Sequence, residues 1–342
     1  MRTLLRLLLA VCLAPTIASA QDSAQSADSR ASGRGPLVHT FSIVARDPKT
    51  GEMGVAVQSH WFSVGSIVTW GEAGVGVVAT QSFVEPAYGP RGLELMKKGI
   101  SAPDALKKLV ADDAQREVRQ VAMLDAQGRV AAHTGKQAIA AAGHQVGIQY
   151  SAQANMMAND KIWPAMAASF EKARGDLADR LLAALDAAQA AGGDVRGRQS
   201  AAILVVKGTS SGRPWQGADR IFDLRVEDDP QPIKELRRLV RLQRAYAHAN
   251  RGDELVSEKK IDQALTEYAA AQQLAPEIQE LPFWVAVTLA SIGRENEAAP
   301  IFRSVFAKEP QWVELVRRLP AAGLLPNDPA LVERIVKLRS GR

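Results

Sequence analysis

Thr40 opens the run Thr40-Phe-Ser-Ile-Val-Ala-Arg46, the first apolar β-type segment after a stretch rich in Ser, Ala, Asp and Gly. Cutting the chain before Thr40 would place a hydroxyl and a free α-amino group on one residue. An α-amine titrates near pH ~8, so it can take the proton of its own hydroxyl and create a nucleophile for acyl transfer without histidine or metal. The plainer explanation is that threonine favours strands and stands at a strand start. Other chemical arrangements are weaker. Gly208-Thr-Ser-Ser-Gly212 has the G-x-S-x-G form, but Arg213-Pro214 blocks the helix that this motif needs. The only later histidine, His248, lies far downstream in the helical C-terminal part. Gly71, Gly74 and Gly76 are misspaced for dinucleotide binding, and no Walker sequence exists. His39, His60, His133 and His144 have neither H-x-x-x-H nor H-E-x-x-H spacing, so no metal or cofactor is expected.

The elements that must position Thr40 are readable around it. Asp47-Pro-Lys-Thr-Gly51 is turn chemistry between runs 40–46 and 53–58, which predicts a hairpin. Gly54 and Ala56 alternate with larger residues, leaving one face of the second strand nearly bare for close approach of a backbone or ligand. Residues 74–81 read as a strand buried on both faces. Helices are expected at 89–98 and at 102–111, the latter with Ser101 as N-cap, and a second hairpin at 118–124 and 129–133. Amphipathic helices at 161–170 and 177–191 follow, Gly192-Gly193 ending the second, then a final central strand at 200–206. Hairpins flanking helical blocks point to a layered α+β fold with a mostly antiparallel sheet.

Asp228-Asp-Pro-Gln-Pro232 is a break, and beyond it everything reads as helix. Ala264, Tyr268 and Pro276 recur as Ala298, Phe302 and Pro310, each 34 residues on, the period of tetratricopeptide repeats, with Gly293 at a tight turn. A helix at 233–249 precedes the repeats and a capping helix at 330–338 follows. Arg237, Arg238, Arg241 and Arg244 share one face of that first helix, as a solvated face or a docking patch.

The N-terminus has a short basic segment, an apolar run and Ala18-Ser19-Ala20, the pattern of an export signal cleaved after Ala20. Pro15 and Thr16 interrupt the run before it reaches the ~18 apolar residues of a membrane span. Export implies a periplasmic or secreted protein. Cys12, the only cysteine, falls in the signal, so the mature chain has no disulfide or thiol chemistry. Net charge is +5, and about +3 without Arg2 and Arg6, too little for a nucleic-acid footprint. The expected organisation is a signal at 1–20, a disordered leader at 21–38, a catalytic-type domain at 39–227 and a helical domain at 233–342.

Several stretches resemble one bacterial family, domain of unknown function 1028: Thr40 through Gly51, Gly74-Val-Gly-Val-Val-Ala-Thr-Gln-Ser82, Tyr88-Gly-Pro-Arg-Gly92, Tyr150-Ser-Ala-Gln-Ala-Asn155 and Gly192-Gly-Asp-Val-Arg-Gly-Arg-Gln-Ser200. Its members look like N-terminal nucleophile hydrolases, so the resemblance implies a four-layer αββα sandwich over residues 40 to about 225, with Thr40 in the nucleophile's place. It implies no substrate. His39 precedes Thr40 here, so a second cut, between His39 and Thr40, is required. In that reading Asn155 would donate its amide to an oxyanion, Ser59 would reach Thr40 across the hairpin, and Arg198, Gln199 and Gln81 would orient substrate. Two readings follow. One is an exported amide or peptide hydrolase whose helical repeats recruit a protein or peptide partner. The other is a non-catalytic binding scaffold with the same fold. Related folds often assemble, so a homo-oligomer is allowed, although no residue pattern marks an interface.

Overall fold

The structure, a computed structural model, describes residues 35–213 and 217–340. The expected signal at 1–20 and most of the leader lie outside the described residues. The first part contains β1 (Leu37–Val38), β2 (Thr40–Arg46), β3 (Met53–Ser59), a short α1 (Gly65–Val68), β4 (Thr69–Glu72), β5 (Gly76–Phe83), α2 (Tyr88–Lys97) and α3 (Ala102–Asp112). It continues with β6 (Arg119–Asp125), β7 (Val130–Thr134), β8 (Gly143–Gly147), β9 (Tyr150–Ala154), α4 (Ile162–Lys172), α5 (Leu177–Ala190), β10 (Ser200–Val206) and β11 (Arg220–Val226).

The β2–β3 hairpin forms where the turn residues demand it. The Asp47 carboxylate accepts from the backbone N–H of Lys49 at 2.7 Å, and Gly51 supplies a φ of +76°. Ser101 caps α3 by accepting from the Asp104 N–H at 3.2 Å. Every strand pairing is antiparallel. One sheet runs β11-β10-β3-β2-β9-β8; the other runs β1-β5-β6-β7, with β4 beside β5.

Three apolar cores hold these elements. Val44, Val55, Val57, Val77, Leu124 and Leu204 fill the space between the two sheets. Phe41, Ile43 and Ile203 pack outward from the six-stranded sheet against Met166 and Leu181 of α4 and α5. Val78, Val121 and Met123 pack from the other sheet against Leu93 and Leu106 of α2 and α3. Each such side chain contributes ~1.5–3 kcal/mol by leaving water. The bare face of β3 is what lets α5 approach: a Cβ on Gly54 would sit 2.6 Å from Leu181 Cδ1.

Three expectations need correction. Leu37 and Val38, placed in a disordered leader, form β1, because Val38 loses all its exposure in the core between the sheets. The strand at 200–206 is central but not final, since β11 adds an edge beyond it. β11 was missed because Arg220-Ile-Phe-Asp-Leu-Arg-Val226 mixes charges into an edge strand whose outer face meets water. Strands β8 and β9 were also unanticipated: β8 is half-buried, glycine-flanked and polar, without the apolar alternation of a recognisable strand.

The C-terminal region is helical: α6 (Pro232–Ser257), α7 (Ile261–Leu274), α8 (Glu280–Ser291), α9 (Glu295–Lys308), α10 (Trp312–Arg318) and α11 (Pro329–Lys337). Ala264 and Ala298, with Tyr268 and Phe302, are buried in its core. Helix α6 is longer than expected and serves three cores, its Ala245 packing with Ala271, Ala275 and Leu281. Ile233, Leu236 and Val240 pack with α4, α5 and the six-stranded sheet, while Leu255 joins the C-terminal core. Its arginine face is partly exposed and paired within the chain. Arg244 pairs with Asp176 and Asp179 at the start of α5, Arg237 with Asp186, Arg241 with Glu277 and Arg238 with Glu235. No helix among the described residues is long and apolar enough to cross a membrane.

Candidate functional site

Register alone brings several polar side chains to the first residue of β2. Thr40 stands opposite Ser59, the last residue of β3, and Ser59 stands opposite Ser200. On the other side Phe41 pairs with Ala154, which sets Asn155 beside Thr40. The facing sheet contributes Gln81 from β5 and Gln120 from β6. Thr40, Ser59, Gln81, Gln120 and Asn155 are all wholly buried.

Two carbonyls organise this seam. The Thr40 carbonyl accepts from the Asn155 backbone N–H at 3.1 Å, from Gln81 Nε2 at 3.1 Å and from Asn155 Nδ2 at 3.4 Å. Gln120 Oε1 accepts from Gln81 Nε2 at 2.7 Å and from Asn155 Nδ2 at 2.9 Å, and Gln81 Oε1 takes the Ser42 hydroxyl at 2.6 Å. These bonds tie β2, β5, β6 and β9 together. A buried amide left without partners would be costly, so the network fixes its members in place.

The His39 carbonyl, one residue earlier, is held differently. Ser59 Oγ donates to it at 2.6 Å and Arg196 Nη2 at 2.7 Å. The guanidinium is itself fixed by buried Asp194, with Nε to Oδ1 at 3.0 Å and Nη2 to Oδ2 at 2.6 Å. Asp194 also accepts the Arg196 and His60 backbone N–H groups, so it is fully engaged. The carbonyl preceding Thr40 thus faces one hydroxyl and one cation. That arrangement stabilises negative charge on its oxygen. The Thr40 hydroxyl donates to the Val38 carbonyl at 3.0 Å.

The His39 ring is buried between Asn155 and Phe83. Its Nδ1–H donates to Asn155 Oδ1 at 2.7 Å, and its ring meets Phe83 edge-on at 6.0 Å between centroids. Burial pushes its pKa below the ordinary value, and its Nε2 has no partner.

Of the residues singled out from sequence, Thr40, Ser59, Asn155 and Gln81 converge here. Arg198 is exposed, and neither it nor the half-buried Gln199 joins the cluster through its side chain; Gln199 contributes only a backbone N–H to the Ser59 carbonyl at 3.1 Å. The guanidinium that reaches the seam is Arg196. Asn155, cast as donor to an oxyanion, is committed to the Thr40 carbonyl, while Ser59 and Arg196 hold the His39 oxygen. His39, Gln120, Asp194 and Arg196 were not found by sequence reasoning. The only available signal was the Gly-Asp-Val-Arg-Gly-Arg turn, where no periodicity says which arginine points inward. Ser210 of the G-x-S-x-G stretch lies in a loop, its hydroxyl on Asp219 at 2.8 Å. No group of three or more His, Cys, Asp or Glu able to hold a metal occurs among the described residues.

Fold and site define a mixed α+β protein whose antiparallel sheets meet over a buried polar seam headed by a threonine. The chain belongs to the family of unknown function DUF1028, whose profile matches residues 40–236 and so begins at Thr40 itself. A crystal structure of a Silicibacter pomeroyi protein of that family is similar, with 31% identity and a TM-score of 0.53, covering 59% of this chain and 87% of the other. No curated protein matches the chain.

Proposed function

We propose that this protein is an exported amide or peptide hydrolase of the N-terminal nucleophile type, with Thr40 released by cleavage of the His39–Thr40 bond. The observation that carries the reading is the grip of Ser59 and Arg196 on the His39 carbonyl, directly beside the buried Thr40 hydroxyl. The three stacked cores, with helices outside each of two facing sheets, support the αββα reading. The start of the family match at Thr40 supports its role.

In this mechanism Thr40 Oγ1 attacks the His39 carbonyl carbon, and Ser59 and Arg196 stabilise the developing oxyanion. The C–N bond breaks, the hydroxyl proton goes to the departing amine, and an ester joins His39 to Oγ1. Water then hydrolyses the ester to a His39 carboxylate, leaving Thr40 with a free amine. That amine activates the hydroxyl for later acyl transfers, while the same two donors receive the substrate carbonyl. Helices α6–α11 form a tetratricopeptide-like unit in this proposal. Its groove of about 690 Å³, with Trp284, Val287 and Leu324 among its lining, takes a protein or peptide partner.

The second reading, a scaffold that keeps its leader, has an observation in its favour: β1 is paired to β5 and Val38 is fully buried. Intact mass and N-terminal sequence of protein recovered from its native compartment separate the two. A chain beginning at Thr40, with the Thr40→Ala variant uncut, supports the hydrolase. Wild-type protein that still carries His39 after prolonged incubation overturns it.

A further inference from the structure

We infer that the leader occupies the acyl-donor side of the substrate groove, and that the substrate is an extended peptide with a side-chain N–H donor at the residue before the scissile bond. This deepens the hydrolase reading and rests on it. Three observations point the same way. Leu37 and Val38 lie antiparallel on the edge of β5, opposite Phe83 and Ser82, and the Val84 N–H donates to the Pro36 carbonyl at 2.9 Å. Main-chain pairing of this kind accepts an added strand of any sequence, while pockets for alternate side chains give the choice.

The His39 side chain fills the pocket nearest the bond. There Asn155 Oδ1 is an acceptor aimed at an N–H donor, because Asn155 Nδ2 is already spent on Gln120 and the Thr40 carbonyl. Histidine satisfies that acceptor through Nδ1. A leucine would leave it unpaired, and a carboxylate would face it with like polarity.

The fit of the leader is also incomplete. His39 Nε2 and the hydroxyl of Ser82, opposite Val38, are both buried without partners, and Ser82 holds a φ of +76°. Unsatisfied polar atoms on both sides of this pairing mark a groove whose chemistry exceeds what the leader uses. Departure of the leader after cleavage would free the β5 edge and this pocket together.

The test uses the full chain after maturation and a set of fluorogenic amides. The probes are Gly-Pro-Leu-Val-His-amide, the same peptide with Leu or Asp in place of His, and acetyl-His-amide. Expected is at least about tenfold higher kcat/KM for the His peptide than for the Leu or Asp peptide, the size of one buried hydrogen bond. A comparable advantage is expected over acetyl-His-amide, which lacks the strand. The free acid Gly-Pro-Leu-Val-His should compete. Equal rates for acetyl-His-amide and the pentapeptide, or for His and Leu, overturn the inference while leaving the hydrolase reading intact. Protein that is never cut at His39–Thr40 overturns both.

Discussion

The seam at Thr40 and the C-terminal helices use polar groups in opposite ways. In the seam, five fully buried polar residues bond to each other or to backbone carbonyls, those of Val38, His39, Thr40 and Ala154 among them, and almost nothing there touches water. In the helical region the interior is Phe283, Phe302, Phe306, Val305 and their apolar neighbours, and the charges are paired on the surface. Apolar cores are tolerant and contribute stability by area. A buried polar network contributes little net stability yet fixes atoms closely, which is what chemistry on a chosen bond needs. The contrast suits the helical region to stability and the seam to the chemistry proposed for it.

The largest test of that contrast is Phe302→Ala. It should lower the stability of the helical region by about 3–5 kcal/mol, read by chemical denaturation, while cleavage at His39–Thr40 proceeds at its normal rate. A parallel loss of cleavage would show that the two regions are not separable. Next is Ser59→Ala, which leaves no buried donor orphaned. It should slow cleavage roughly 100-fold, as loss of one oxyanion donor does, with the melting temperature nearly unchanged. An unaltered cleavage rate would remove Ser59 from the chemistry.

A smaller effect concerns pH. The His39 pKa is lowered by burial from its ordinary 6.5, so below about pH 6.5 the unfolded chain binds a proton that the folded chain refuses. Stability must therefore fall as the pH drops through that window, by up to about 1.4 kcal/mol per pH unit for one proton. His144, also lowered by burial, adds the same sign. Urea titrations of the uncut Thr40→Ala chain should show this slope, and adding His39→Gln should flatten part of it. An unchanged slope would mean that the His39 ring titrates freely. Smallest is Arg244→Ala. Its pairs with Asp176 and Asp179 are partly exposed, so the loss should stay below about 1 kcal/mol and shrink in high salt.

Legibility in the sequence followed the same division. The β2–β3 hairpin and the helix starting at Ala102 could be read because Pro, Gly and a capping serine act locally. Thr40 stood out because it opens the first strand after a biased segment. Strands β9 and β11 could not be read, since their partners are far away in sequence and their composition is set by neighbours. Arg196 was missed for a related reason. In a glycine-rich turn neither period 2 nor period 3.6 fixes which side chain faces inward, so Arg198 looked equally placed. Gln120 carries no signal at all until β5 and β6 pair.

Helix α6 has a consequence for the order of events during biosynthesis. A chain that emerges N-terminus first will have produced both sheets by Val226, yet the surface outside the six-stranded sheet stays incomplete until Ile233, Leu236 and Val240 arrive. The first region therefore cannot finish folding at the Asp228–Pro232 break. It must wait for the first turns of the next helix, and a truncation made at that break would leave a sticky apolar stripe on each fragment.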